Sequence, residues 1–416
     1  MSERFTQKPI ILDDDQSTGR LKVSQLMTLL EKHPYLPEVA EAFKTEDSKD
    51  EIIIVDHVDT VFKRIKYINA HFERFSIRAQ SKHISIRESA APIADLANPN
   101  PLIFNFSEYA AIDEVNDDLD CYAIYDSKNT YFDTYDMAKY ANRLYKIGLG
   151  ELARYNLDFF KDLATSDRRF NKHQSYRLVA NNDQIFLRGI TSVDRYFEYG
   201  VDFTFVVAML TLHRDMKKQE GNQYAITSCA ISESKLELIV SEKLLKDAGA
   251  FGKVSSATIV TTNDLGQGSL NFTKIIRVGG RLHNGVYLFP GGENAKQNKL
   301  FISHRTGPKR TIESLNELHT LLNDTDEFIN ELHEVNGIKT PDELRARILF
   351  KLTNHRSAFK EIKALNDIFK TKIDNEIKDF AKLLEMCNKA EELDIDYDLK
   401  DKLRYIISDI ILSGKK

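Results

Sequence analysis

Cations crowd the segment from Phe62 to Glu88: Lys63, Arg64, Lys66, Arg74, Arg78, Lys82 and Arg87 stand against only Glu73 and Glu88. Tyr67, Phe72 and Phe75 lie between the charges, with His71 and His83 nearby. Side chains of these types can track a phosphate backbone by displacing its counterions while ring faces stack on bases. The competing account is an amphipathic helix whose charges are solvated and whose rings are core.

A second concentration of positive charge runs from Leu265 to Arg310. It holds Lys274, Arg277, Arg281, Lys296, Lys299, Arg305, Lys309 and Arg310 against the single acid Glu293. Glycines are dense here, at 266, 268, 279, 280, 285, 291, 292 and 307. Glycine lets backbone N–H groups approach an anion closely. The same glycines also serve hairpin turns, and Val278-Gly279-Gly280 and His283-Asn284-Gly285 are natural turn sequences. A shorter basic segment, Ser166-Asp167-Arg168-Arg169-Phe170-Asn171-Lys172-His173, reads equally as an exposed connection.

Other chemistries find no motif. There is no GxxxxGK[ST] loop, GxSxG elbow or HExxH helix, and His213, His283 and His304 lack ligand spacing. Asp13-Asp14-Asp15, and Asp117-Asp118 with Asp120, lack the glycine and alternating oxygen ligands of an EF-hand loop. Neither a catalytic residue nor a metal or cofactor is expected.

The elements that must carry these residues are of two kinds. Val58, Phe62, Ile65, Ile68 and Phe72 recur at helical spacing and predict a helix over 55–75. Further helices are expected at 22–31 and 137–162. The centre is richer in Val, Ile, Thr, Tyr and Phe, and it predicts strands at 83–87, 176–180, 184–188, 203–213, 224–232, 236–241, 257–262 and 270–278. Short connections between them favour an antiparallel or mixed sheet. Beyond Arg310 the spacing turns helical, and Thr340-Pro341-Asp342-Glu343 is a capping-box helix start. These C-terminal amphipathic helices would pack on the protein's own sheet or on a second copy.

The whole chain has 416 residues, 42 % of them hydrophobic and 29 % charged, which excludes disorder over most of its length. A net charge of −5 excludes a uniformly basic protein, so any polyanion would meet local patches. Cys121, Cys229 and Cys387 form no CxxC pair, and the opening residues lack a secretory apolar run. Val201–Leu212 is too apolar for a surface and too short for a bilayer, so it is read as a buried strand or helix. The expectation is a cytoplasmic protein of a bacterium or phage-infected cell.

The run Thr261-Thr262-Asn263-Asp264-Leu265-Gly266-Gln267-Gly268-Ser269-Leu270, followed by Arg277, Asn284-Gly285 and His304-Arg305-Thr306-Gly307, resembles the phage/plasmid-like protein family. Tyr176-Arg177-Leu178-Val179-Ala180-Asn181-Asn182 is similar to that family's Tyr-Arg strand and Asn-bearing turn. Asn263-Asp264 stands for the family's Asn-Ser-Glu, and Leu282-His283 for its Cys. The resemblance spans about 175–310 and implies a setting beside DNA replication or recombination, with no catalytic residue attached.

The reading is an α+β protein with a central antiparallel or mixed sheet. A mostly helical N-terminal region covers 1–105, an α+β core 106–310 and a helical region 311–416. Its expected function is nucleic-acid binding, single-stranded DNA favoured, in phage or plasmid recombination. Lys63, Arg64, Arg74, Arg78, Lys274, Arg277, Arg281, Arg305, Lys309 and Arg310 would contact phosphates, and Tyr67, Phe75 and Tyr287 would stack on bases. The alternative is a phage structural or interaction protein forming a homo-oligomer through its C-terminal helices.

Overall fold

The computed structural model describes residues 4–12, 19–106, 119–163, 172–218, 221, 223–266, 269–279, 285–289, 298–315, 326–354, 357–370 and 376–412. The chain opens with β1 (Lys8–Pro9), β2 (Arg20–Lys22), α1 (Val23–Met27), α2 (Leu36–Phe43) and β3 (Ile52–Asp56). Helix α3 (Val58–His71) then leads into β4 (Glu73–Gln80), β5 (Ser85–Glu88), β6 (Leu102–Asn105) and β7 (Asp120–Ala123). Three helices follow, α4 (Ser127–Asp133), α5 (Ala138–Lys146) and α6 (Gly150–Leu163). The hairpin β8 (His173–Asn181) and β9 (Gln184–Ser192) precedes α7 (Gly200–Lys218). A run of strands comes next: β10 (Tyr224–Ile231), β11 (Lys235–Glu242), β12 (Lys246–Asp247), β13 (Lys253–Asn263), β14 (Ser269–Val278), β15 (Val286–Leu288) and β16 (Lys299–Ser303). The chain ends in α8 (Pro308–Leu315), α9 (Asp326–Ile338), α10 (Pro341–Thr353), α11 (Lys363–Phe369), α12 (Phe380–Glu391) and α13 (Tyr397–Leu412).

These elements form an α+β fold with two mixed sheets. The larger runs β15-β14-β13-β11-β10-β3-β2, with β1, β12 and β16 on its margins; the smaller runs β4-β8-β9-β7-β6-β5. Each is antiparallel except at one pairing, β10 with β3 in the first and β7 with β9 in the second. The expected single central sheet is thus two. The N-terminal 105 residues, expected to be mostly helical, contribute strands to both. β3 and β6 are only five and four residues long, too short to show a clear period of their own.

Alternation along β11 shows how the larger sheet is filled. Leu236, Leu238 and Val240 join the core shared with α7, α1 and α3. Ile239 faces the other way, into a smaller cluster with Ile259, Ile275, Tyr287 and Phe289. Glu237, two residues before Ile239, shares that second face and meets Arg404 of α13 at 3.0 Å. Those helices bury their apolar stripes against Ile276, Val278 and Leu288 of the sheet. The Thr340–Glu343 capping box forms as expected and starts α10.

One expected strand is a helix. Residues 203–213 belong to α7, whose side chains from Gly200 through Leu212 are all buried. A helix enclosed on every side carries no polar face, so its sequence shows no period of 3.6 and reads as a continuous apolar run.

Candidate nucleic-acid interface and a buried arginine cluster

Helix α3 buries Val58, Val61, Ile65 and Ile68 in the larger core and thereby turns Lys63, Lys66, Tyr67 and His71 outward. Tyr67 keeps 50 % of its surface exposed. Its ring stacks on His71 at 4.0 Å, and the Arg64 guanidinium lies 5.2 Å from the Tyr67 centroid. Lys66 sits over Phe62, and Lys63 pairs with Asp59 at 3.1 Å across one helical turn. Cations and a half-exposed aromatic pair therefore share one surface.

The other expected contacts separate into free and buried. Arg78 is exposed on β4, and Arg305, Lys309 and Arg310 are exposed around the start of α8, which packs on α2. Arg74, Lys274, Arg277 and Tyr287 are corrections to the expected contact set. Arg74 forms an ion pair with Asp202, donates to Asn69 Oδ1 at 2.8 Å and to the Glu233 carbonyl at 3.2 Å. Lys274 and Arg277 are buried on β14, and Tyr287 is buried on β15 beneath Arg404. None of the four presents its charge or ring to a polyanion. Phe75 is half-buried against the core of the smaller sheet, which removes it from the stacking set. Arg281 lies outside the described residues, as do Lys296 and the segment from Ser166 to Asn171.

Sequence reasoning missed a second constellation, buried where the two sheets meet. Arg177 of β8 and Arg188 of β9 are each 1 % exposed. Arg177 pairs with Glu198 and Asp264 and donates to Tyr196 Oη at 3.0 Å. Arg188 pairs with Glu198, reaches Asp264 at 3.5 Å and donates to Ser234 Oγ at 3.0 Å. Tyr196 Oη completes the circuit by donating to Asp264 at 2.9 Å. The His304 ring stacks on Tyr196 at 4.5 Å, with its Nδ1 2.8 Å from the Phe197 carbonyl.

Local backbone brings these groups together. Asp264 follows β13 in a turn whose Gly266 has φ +94°, a conformation glycine adopts freely. Gly189 of β9 passes so close to that turn that a Cβ would stand 2.9 Å from the Leu265 carbonyl. Burial by itself would raise the Glu198 carboxyl, yet the Arg177 and Arg188 guanidiniums hold it well below its ordinary value. Glu233 is raised by burial, with the Tyr125 hydroxyl and Ser234 hydrogen bonds opposing. Three residues that carried the family resemblance, Arg177, Asp264 and His304, thus converge in space. Asp264 and His304 meet Arg177, Tyr196 and backbone carbonyls, and these contacts tie the two sheets together, while Arg177 Nε and Arg188 Nε are buried without a hydrogen-bond partner among the described residues.

The described residues contain no group of three or more His, Cys, Asp or Glu placed to hold a metal ion, and no helix long and apolar enough to cross a membrane. No family model, curated protein or solved structure matches the chain.

Proposed function

We propose that the protein binds nucleic acid, single strands in preference, through the outer face of α3. The observation that carries this reading is the exposed Tyr67–His71 stack flanked by Arg64 and Lys66. A duplex hides its base faces, whereas a single strand can lay one on the exposed side of this ring pair while its phosphates meet the flanking cations. Arg78 extends the positive surface on the strand that follows α3. Recombination or replication of phage or plasmid DNA is the setting suggested by the family resemblance.

The test is fluorescence anisotropy with labelled single- and double-stranded oligonucleotides across a salt series. Three phosphate contacts at Lys63, Arg64 and Lys66 together contribute about a hundredfold in affinity for a single strand at about 0.1 M salt. The triple reversal Lys63→Glu, Arg64→Glu, Lys66→Glu therefore loses about that factor and flattens the salt slope by about 2. Tyr67→Ala costs about 1–3 kcal/mol, with little change in slope. Reversal of Arg305, Lys309 and Arg310 shows whether α8 shares the interface: retained affinity removes it. Absence of binding to either strand form at low salt overturns the proposal.

A further inference from the structure

Helix α6 carries a second surface feature of a different kind. Its buried side, Ala153 and Leu157, packs into the core of the smaller sheet. On the opposite side Leu152, Tyr155, Phe159 and Leu163 form a stripe at helical spacing, 45 %, 73 %, 59 % and 40 % exposed. Ile147 and Leu149, in the turn that enters the helix, are also exposed and continue it. At roughly 200 Å² for a fully exposed side chain of this size, the six residues offer on the order of 600 Å² of apolar surface. That equals or exceeds the largest patch of an ordinary monomer, about 300–600 Å².

We propose that this face pairs with the same face of a second copy of the chain, the two α6 helices lying antiparallel about a two-fold axis level with position 157. The order of the stripe is its own complement. Tyr155 and Phe159 are equidistant from position 157, so each meets the other residue on the partner copy. Leu152 and Leu163 match across the axis to within about 1.5 Å of helical rise. The four stripe residues of both copies together bring on the order of 900 Å², the size of a small, reversible interface. A two-fold of this kind sets like flanks against each other, and the flank beside the stripe carries Glu151 and Asp158. Both acids are already paired within the helix, Glu151 with Arg154 at 3.0 Å and Asp158 with Lys161 at 3.5 Å. Self-pairing therefore meets reduced repulsion, and a basic partner helix finds these two charges engaged.

Sedimentation of the full chain over a range of micromolar concentrations tests the pairing. The expected result is a mass rising toward twice 47.8 kDa with concentration. Tyr155→Glu with Phe159→Glu, both on exposed positions, stays monomeric and melts like the parent. A parent that remains monomeric, or a variant that still dimerises, overturns the proposal. A monomeric parent that instead binds lipid vesicles would assign the stripe to a lipid surface. The register has its own readout: oxidation links Tyr155→Cys chains to Phe159→Cys chains, whereas self-linking of Leu163→Cys chains would refute the antiparallel arrangement.

Discussion

At the contact between the sheets, Arg177 and Arg188 share Glu198 and Asp264; beneath the C-terminal helices, Arg404 stands against Glu237, Glu391 and Asp401. Both clusters join elements far apart in the chain, and both centre on guanidiniums that are almost fully buried. Their charge ratios differ, and Glu198 in one cluster and Glu237 in the other are shifted in opposite directions. With two cations to two acids, Glu198 is held well below its ordinary value despite burial. With one cation to three acids, burial raises Glu237 to about 7, Asp401 and Glu391 add to the rise, and Arg404 only opposes it. The same residue types thus make an ionised clamp in one place and a proton-accepting one in the other.

The largest effect should come from removing Arg404, whose guanidinium pairs with all three acids. Arg404→Met leaves three acids without their counter-charge and should cost about 3–5 kcal/mol at neutral pH, read from the urea midpoint. Because burial raises Glu237 and Asp401, the loss should shrink at pH 5. Arg177→Met should cost less, about 1–3 kcal/mol, since Arg188 still faces both acids. A larger loss at Arg177 than at Arg404 would break the argument from charge ratio.

Opposite pH signs sharpen the same comparison. Glu237 has a folded value above its ordinary 4.5, so the folded state holds the extra proton and the contribution to stability is complete below 4.5. It is lost as pH rises through about 7. Glu198 has the reverse sign: its contribution is present above 4.5 and lost as pH falls. Glu237→Gln should therefore gain stability relative to the parent as pH rises from 5 to 8, and Glu198→Gln should lose it as pH rises toward 4.5. Shifts on the order of 1 kcal/mol are expected in thermal melts at fixed ionic strength. Parallel pH profiles for the two variants would refute the assignment.

The smallest effect belongs to the surface. Lys63 and Asp59 form a mostly exposed pair one turn apart, so Asp59→Asn should change stability by less than about 0.5 kcal/mol. By freeing Lys63 it should slightly strengthen oligonucleotide binding. Weaker binding would show that Lys63 is not part of the interface.

Much of the local structure was legible. The capping box at Thr340 and the turn-bounded strands from Tyr224 to Val278 are short-range signals, complete within a few residues. The apolar spacing of α3 likewise marked its core side, while the structure alone placed Tyr67 outward. Basic residues on β4 and β14 were misassigned for the complementary reason: nothing in the neighbourhood of Arg74 or Arg277 reports what covers that face of the strand. Arg74 meets Asp202, 128 positions away, and Arg404 meets Glu237, 167 positions away.

What the sequence by itself determined are periods, caps and turns, because these depend on backbone sterics and on neighbours within one turn or one strand. It also determined that positive charge would be local, since the cations are clustered while the total is −5. Only the tertiary structure decided which cations stay in water and which are spent inside. That choice depends on whether a carboxylate from a distant element arrives to offset the cost of burying a guanidinium, and pairings of this range leave no trace in local spacing.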